Sequence, residues 1–272
     1  MRGQPTFLRG LRPTLHISHR GGALLAPENT LDAFRQAVER YRTDMLELDV
    51  HVTRDAQVVV AHDATLERCT DGHGPLDAFT LAELRELDAG YGFTPDAGRT
   101  FPFRGRGVRI PTLREVLRAF PSLRLNVELK PDVEGHEDVL ARLLETEDAV
   151  DRVCIGSEQD GVGERLARRL PEACHFYPRD ALAAFVIALR AGEAPPEDDR
   201  FQVLDMPLYF GDVRLVDADF LRACEARGKW VNVWTVDDPA EMDQLLAERV
   251  GGVMTDRPDL LRQRMDALAK PG

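Results

Sequence analysis

Two pairs of residues stand two apart in segments that read as extended chain. Glu47 and Asp49 lie in MLELDV, and Glu128 and Lys130 lie in LRLNVELK. On a strand, residues two apart project to one side. If both sides converge, three carboxylates and an ammonium meet. Ionised carboxylates are costly to bury without a cation, a proton or hydrogen-bond partners. An all-oxygen set suits a hard ion such as Mg2+ or Ca2+, with Mn2+ also admitted. Taken singly, each acid is better explained by an exposed strand face; their position at the carboxyl ends of successive strands favours a site. Two histidines complete the set. His19 closes TLHIS and His62 closes VVVA, next to Arg20 and Asp63 respectively. One neutral and one protonated imidazole make a general base and a general acid near neutral pH. Arg20 offers a planar fork of donors for phosphate oxygens, and Lys130 a second positive point.

The elements that must position these groups recur along the chain. Apolar, β-rich runs appear as TLHIS, MLELDV, LRLNVELK, RVCIGS, ACHFYP, FQVLDMP, WVNVWTV and GGVMTD. The spacers carry helix starts: Asn29-Thr30, capping boxes at Thr80/Glu83 and Thr112/Glu115, and Asp238 before Pro239. Strand–helix alternation means parallel strands with helical crossovers, and eight such strands close an α/β (β/α)8 TIM barrel. No GxGxxG follows the first strand, which weakens a dinucleotide fold. Residues 1–272 read as a single catalytic domain.

A further candidate strand, Val58 to His62, follows the strand before it too closely for a parallel return, so it folds back as a hairpin. With the turn centred on Asp55-Ala56, Arg54 faces Gln57, Val52 faces Val59, and Asp49 faces His62. The hairpin then delivers His62 to the carboxyl end of the second strand, where barrel active sites lie. Residues 64–111 are too long for an ordinary connection and hold one short helix, TLAELREL, among Gly-rich, aromatic-bearing loops. They read as an insertion over the active face, against the simpler reading of a disordered excursion.

Composition sets outer limits. The chain is 43% hydrophobic, with 35 Lys+Arg against 47 Asp+Glu and a net charge of -12. That balance argues against a nucleic-acid partner or a polybasic membrane surface, so an anionic substrate must be drawn in locally. No run approaches a membrane span, and MRGQPTFLRGLRPTLHISHRGG lacks the apolar centre of a signal peptide, so a cytoplasmic location is expected. Cys69, Cys154, Cys174 and Cys224 are scattered with no CxxC, and they read as free thiols.

HRGG followed by PENT, then ELDVHVTRD with VVVAHDATLERCTDG, then VELK, VNVWTVDD and GVMTDRPDLL, resemble the glycerophosphodiester phosphodiesterase family in order and spacing. The match runs from about His16 to Leu261. The resemblance implies a barrel of the phospholipase-C-like phosphodiesterase type. It implies His19 and His62 as the catalytic pair, Glu47, Asp49 and Glu128 as metal ligands, and Arg20 and Lys130 as phosphate contacts. Trp234 matches an aromatic at the substrate pocket. The implied activity is metal-dependent hydrolysis of glycerophosphodiesters to glycerol 3-phosphate and an alcohol. Two alternatives stand beside it. One is a lipid phosphodiesterase acting on lysophospholipid or phosphatidylglycerol, motivated by Tyr91, Phe93, Phe101 and Phe103 and by PLYFG. The other is a non-catalytic barrel that binds a phosphorylated ligand. No oligomeric state is indicated.

Several residues have plainer readings. His51 is expected to meet solvent on the hairpin, and His16, of opposite parity to His19, faces helices or the surface. Trp230 reads as structural. Asn126 and Asn232 share faces with Glu128 and Trp234, as supports or as filling of the barrel floor. Asp256 is read as capping the last helix rather than touching substrate.

Overall fold

The computed structural model describes residues 5–196 and 198–269. Eight parallel strands surround one interior: β1 (Leu15–Ser18), β2 (Met45–Val52), β4 (Arg124–Leu129), β5 (Val153–Gly156), β6 (Cys174–His175), β7 (Val203–Pro207), β10 (Trp230–Trp234) and β11 (Gly252–Thr255). Their order around the sheet is β6-β5-β4-β2-β1-β11-β10-β7. A single parallel bridge, Phe176 to Val203, joins β6 to β7 and nearly closes the barrel. The helices between strands are α1 (Leu31–Glu39), α3 (Leu113–Ala119), α4 (His136–Thr146), α5 (Asp160–Arg169), α6 (Arg179–Arg190), α7 (Ala218–Glu225) and α8 (Pro239–Ala247), with α9 (Pro258–Leu268) after the last strand. The expected caps form: the Thr30 side chain accepts from Ala33, Thr112 makes a full capping box with Glu115, and Asp238 caps α8 with Pro239 in its first turn.

The alternation of β2 becomes an inside and an outside. Leu46, Leu48, Val50 and Val52 pack outward with Leu113, Val116 and Leu140 in the layer between strands and helices. Leu48 is fully buried there, so truncating it to alanine costs about 2–5 kcal/mol. Glu47 and Asp49 take the opposite face and point into the barrel. At the amino ends of the strands, Phe7 and Leu8 of a 3-10 turn (Thr6–Leu8) join Leu15, Ile17, Met45 and Val203 in the interior core. Apolar packing therefore fills the amino end of the barrel and leaves the carboxyl end to polar groups.

The return strand of the hairpin, β3 (Val58–Val60), is buried on both faces, and that explains its unbroken apolar run. Val58 and Val60 belong to the core shared with β2 and α3, while Val59 packs with Leu66, Leu76, Leu84, Ala89, Val108 and Ile110. These last residues come from segment 64–111, which holds a 3-10 turn (Leu76–Ala78) and the short helix α2 (Leu81–Leu84), opened by the Thr80/Glu83 capping box. The segment is thus ordered around a small core of its own.

The register of the hairpin differs from the sequence expectation by one residue. Val52 pairs with Val58, His51 with Val59 and Val50 with Val60, and the amide of Ala61 donates to the Asp49 carbonyl. Asp49 therefore faces Ala61, not His62. The loop has three residues, Arg54 to Ala56, with Ala56 left-handed at φ 58, the geometry of a turn closed by a bulge. His62 reaches the barrel mouth because the chain leaves β2 after the Ala61 bond. A second, two-stranded hairpin, β8 (Tyr209–Phe210) with β9 (Val213–Arg214), follows β7. Among the described residues no helix is long and apolar enough to cross a membrane.

Candidate active site

A cleft of about 390 Å³ opens at the carboxyl ends of the strands. It is bordered by all eight residues singled out from sequence: His19, Arg20, Glu47, Asp49, His62, Glu128, Lys130 and Trp234. Neighbouring strands bring the carboxylates together, since Asp49 and Glu128 are directly paired between β2 and β4.

His19 and Arg20 sit on a tight turn after β1. Arg20, Gly21 and Gly22 all have positive φ, at 50°, 84° and 99°, which glycine tolerates and side chains resist. A Cβ on Gly21 would also stand 2.8 Å from the Cβ of Ala33. This turn aims the Arg20 amide at Glu47 Oε2, 3.0 Å away. It sends the guanidinium to Glu28 Oε1 at 3.1 Å and to Asp49 Oδ2 at 3.3 Å.

Both histidines are oriented in the same way. His19 Nδ1 donates to Asp256 Oδ1 at 2.7 Å, and His62 Nδ1 donates to Asp63 Oδ1 at 2.7 Å. An ionised carboxylate only accepts, so the proton is assigned to Nδ1 in each ring and Nε2 is left for proton transfer. Burial works against a charged His19, but Glu47 and Asp256 outweigh it and hold the imidazole above its ordinary value. The plainer reading of Asp256 is corrected here: it binds His19, and α9 starts without a side-chain cap.

The carboxylates are buried and unequal. Burial and the neighbouring Asp49 charge push Glu47 up to about 8. Burial also raises Glu128 to about 7, against the pull of Lys130. For Asp49 burial is outweighed by Lys130 and Arg20, and its value falls. Lys130 Nζ lies 3.0 Å from Asp49 Oδ1 and 2.8 Å from Glu128 Oε2, and the Asn29 amide donates to Asp49 Oδ2 at 3.0 Å. The chemistry of this donor set fits a hard divalent ion, because two buried carboxylates lack enough positive charge. Among the described residues no three such groups stand as a ready ligand sphere; Lys130, Arg20 and Asn29 occupy the oxygens of Asp49.

The far side of the cleft is largely apolar, formed by Phe176, Leu182, Pro207, Phe210, Trp234 and Met254, with the Arg179–Glu158 ion pair at its edge. One carboxylate, Asp205 on β7, lies among them and was not singled out from sequence. Asn126 donates to its Oδ2 at 2.6 Å and Asn232 to its Oδ1 at 2.8 Å. Burial raises Asp205 to about 6 in spite of these bonds. Its signal in FQVLDMP was a lone acid at an inward position. Asn126 and Asn232 thus support Asp205, and Trp230 Nε1 in turn donates to Asn232 at 2.9 Å. His51, expected at the surface, is only 4% exposed and sits against the His62 carbonyl at 3.1 Å. His16 is fully buried between Thr43 and the Pro258 carbonyl, facing a helix. Of the aromatics expected near the mouth, Phe210 reaches the cleft. Phe93 and Phe103 instead stack edge to face at 5.3 Å, and Arg104 lies over the rings of Tyr91 and Phe101.

Residues 19–260 match the Glycerophosphoryl diester phosphodiesterase family. The chain is 31% identical to a glycerophosphodiester phosphodiesterase of Caldanaerobacter subterraneus subsp. tengcongensis, over 91% of this chain and 96% of the relative. It is 28% identical to human lysophospholipase D GDPD1, over 91% and 84% of the two chains. In fold it is similar to an Oleispira antarctica phosphodiesterase solved with the product sn-glycerol-3-phosphate, with a TM-score of 0.72 and 25% identity over 94% and 97% of the chains.

Proposed function

The chain belongs to the glycerophosphoryl diester phosphodiesterase family, and from that premise we propose that the cleft hydrolyses glycerophosphodiesters to glycerol 3-phosphate and an alcohol. In this reading His19 and His62 move the protons, and Glu47, Asp49 and Glu128 hold a divalent ion, Mg2+ or Ca2+. The observation that carries it is the pair of carboxylate-tethered histidines bordering one cleft with Arg20 and Lys130.

A phosphodiester carries one negative charge, and its cleavage demands neutralisation at phosphorus and a proton for the departing alkoxide. Arg20 and Lys130 supply positive charge to the phosphoryl oxygens. A bound divalent ion would add Lewis-acid polarisation of one of those oxygens. One imidazole takes the proton of the nucleophile at Nε2 as its oxygen bonds to phosphorus. The bond from phosphorus to the alcohol oxygen breaks, and the other imidazole gives that oxygen its proton. The nucleophile is water, or the 2-hydroxyl of glycerol through a cyclic phosphate that water then opens, a route favoured by its being already in place. Both routes use the same two proton sites. Asp256 and Asp63 keep each ring in the working tautomer, and Asp256 also steadies the charged form of His19. A barrel that only bound phosphorylated ligands would be expected to lack one of these groups, and none is missing.

Choline release from glycerophosphocholine, with and without chelator, tests the reading. Activity that survives both chelation and Glu47→Gln removes the metal from it. A second reading, lysophospholipid as substrate, is favoured by the apolar side of the cleft and by Phe210, which is 77% exposed at its rim. Turnover of lysophosphatidylcholine beside that of glycerophosphocholine separates the two. A preference of orders of magnitude for the deacylated diester eliminates the lipid.

A further inference from the structure

Segment 64–111 reaches the reacting groups through one side chain. Arg68 lies just beyond the hairpin and is 47% exposed. Its guanidinium forks between two carboxylates. Nε and Nη2 donate to Asp63 at 2.5 and 3.0 Å, and Nη1 and Nη2 donate to Glu28 at 2.6 and 2.8 Å. Neither carboxylate is idle. Asp63 accepts from His62 Nδ1, and Glu28 accepts from Arg20 Nη1. The chain of contacts thus runs from a histidine to Asp63, to Arg68, to Glu28, and on to the arginine beside the phosphate position.

We propose that Arg68 is a positioning residue for the reaction, fixing His62 through Asp63 and Arg20 through Glu28 so that the two move as one unit. The proposal rests on the roles given above to His62 and Arg20. Without the guanidinium two carboxylates would share only Arg20 and His62 as partners, and each would be free to turn away from the group it orients. A bidentate fork on both acids fixes their planes, which an ammonium cannot do. The Arg68 hydrogen bond is also the largest influence holding Asp63 down at about 2, where it stays ionised as an acceptor for His62.

A second observation places Arg68 under the control of the insertion. Gly92 packs against the Arg68 carbonyl so closely that a Cβ there would collide with it, and the Gly92 amide donates to the Cys69 carbonyl at 3.4 Å. The Thr70 hydroxyl closes the same turn on the Leu66 carbonyl at 2.8 Å. A loop that lines no part of the cleft therefore sets the backbone from which the fork extends.

The test uses the full chain with Arg68→Ala, Arg68→Lys and Gly92→Ala, read by glycerophosphocholine turnover, by calorimetric affinity for glycerol 3-phosphate and by thermal unfolding. Arg68→Ala is expected to lower kcat by about 10²-fold, the size of effect seen when positioning alone is lost, with a smaller change in KM. Affinity for glycerol 3-phosphate falls several-fold through Arg20. Added guanidinium, below denaturing concentration, restores part of the turnover to Arg68→Ala, and Arg68→Lys recovers less than that. Gly92→Ala reproduces the loss in kcat without altering any side chain of the site. A kcat for Arg68→Ala within about twofold of wild type, or a loss that guanidinium does not reverse, overturns the proposal. Should wild type release no choline, the proposed function fails on its own; an unchanged affinity of Arg68→Ala for glycerol 3-phosphate would then still overturn the link to Arg20.

Discussion

The side of the cleft built by β1, β2 and β4 is charged and paired with itself, whereas the side built by β6, β7 and β10 is largely apolar around one buried acid, Asp205, with the Arg179–Glu158 ion pair at its edge. On the first side almost every group leans on another: Lys130 on Asp49 and Glu128, Arg20 on Glu47, Glu28 and Asp49, His19 on Asp256. On the second side Phe176, Pro207, Phe210 and Trp234 are separate surfaces, joined only by packing. Removing one member of a mutually dependent set leaves its partners buried and unpaired. Removing one member of an apolar surface costs little beyond its own contact. The charged side should therefore fail as a unit and the apolar side by degrees.

The sharpest way to break this contrast is at the histidines. His19→Ala and His62→Ala should each lower turnover of glycerophosphocholine by about 10²–10⁴-fold; an undiminished rate in either variant would take that ring out of the proton path. Lys130→Met comes next. It should cost about 10²–10³-fold in kcat, as for loss of one donor to developing charge, and it should also lower the melting temperature, because Asp49 and Glu128 are left facing each other. Loss of rate with no loss of stability would show that the set is less interdependent than its contacts suggest.

A pH titration of stability addresses the same point with smaller effects. Glu47 is raised to about 8 and Glu128 to about 7, both far above an unfolded glutamate at about 4.3. Between those limits the folded state binds more protons than the unfolded one, so its stability falls as pH rises. His19, also raised, contributes in the same direction: its support is complete below about 6.5 and is lost above its folded value. Melting temperatures measured in chelator should therefore decline from about pH 5 to 8, at roughly 2–4 °C per kcal/mol for a domain of this size. Glu47→Gln should flatten the decline, and Mg2+ or Ca2+ should oppose it. A flat profile in wild type would mean that the carboxylates are better compensated than their burial indicates.

The smallest effects belong to the apolar side. Phe210→Ser, at an exposed rim, should shift stability by no more than about 0.5 kcal/mol. It should reduce kcat/KM for lysophosphatidylcholine more than for glycerophosphocholine. Equal reductions for the two substrates would leave Phe210 without a part in substrate choice.

The charged side was also the legible one. Strict alternation in LELDVHV and NVELK told inside from outside because a strand has a period of two, and ladder pairing then set Asp49 beside Glu128. The eight runs and their caps gave the barrel. The hairpin register escaped by one residue because Ala56 adopts a left-handed conformation that its residue type does not announce. Asp256 was misread because an acid before a helix is as good a cap as a histidine partner, and only the fold brings it 237 positions back to His19. Asp205 was overlooked because one acid in an apolar strand makes no pattern; its meaning lies in Asn126 and Asn232, on two other strands. The burial of His51 is not legible in the sequence because the second layer formed by segment 64–111 is a tertiary fact.

The join between β6 and β7 has a consequence for how such a protein can diversify. β6 contributes two residues to the ladder, and one bridge links it to its neighbour. Insertions, deletions and small shifts of the chain there disturb the shortest register among the described strand pairs, one bridge with the bonds from Tyr177 to Val203 and from Gln202 to His175. Phe176, Tyr177 and Pro207 flank that join and border the cleft. Changes at the seam can therefore reshape that border of the cleft, while the charged groups carried by β1, β2 and β4 keep their places on the opposite side of the barrel.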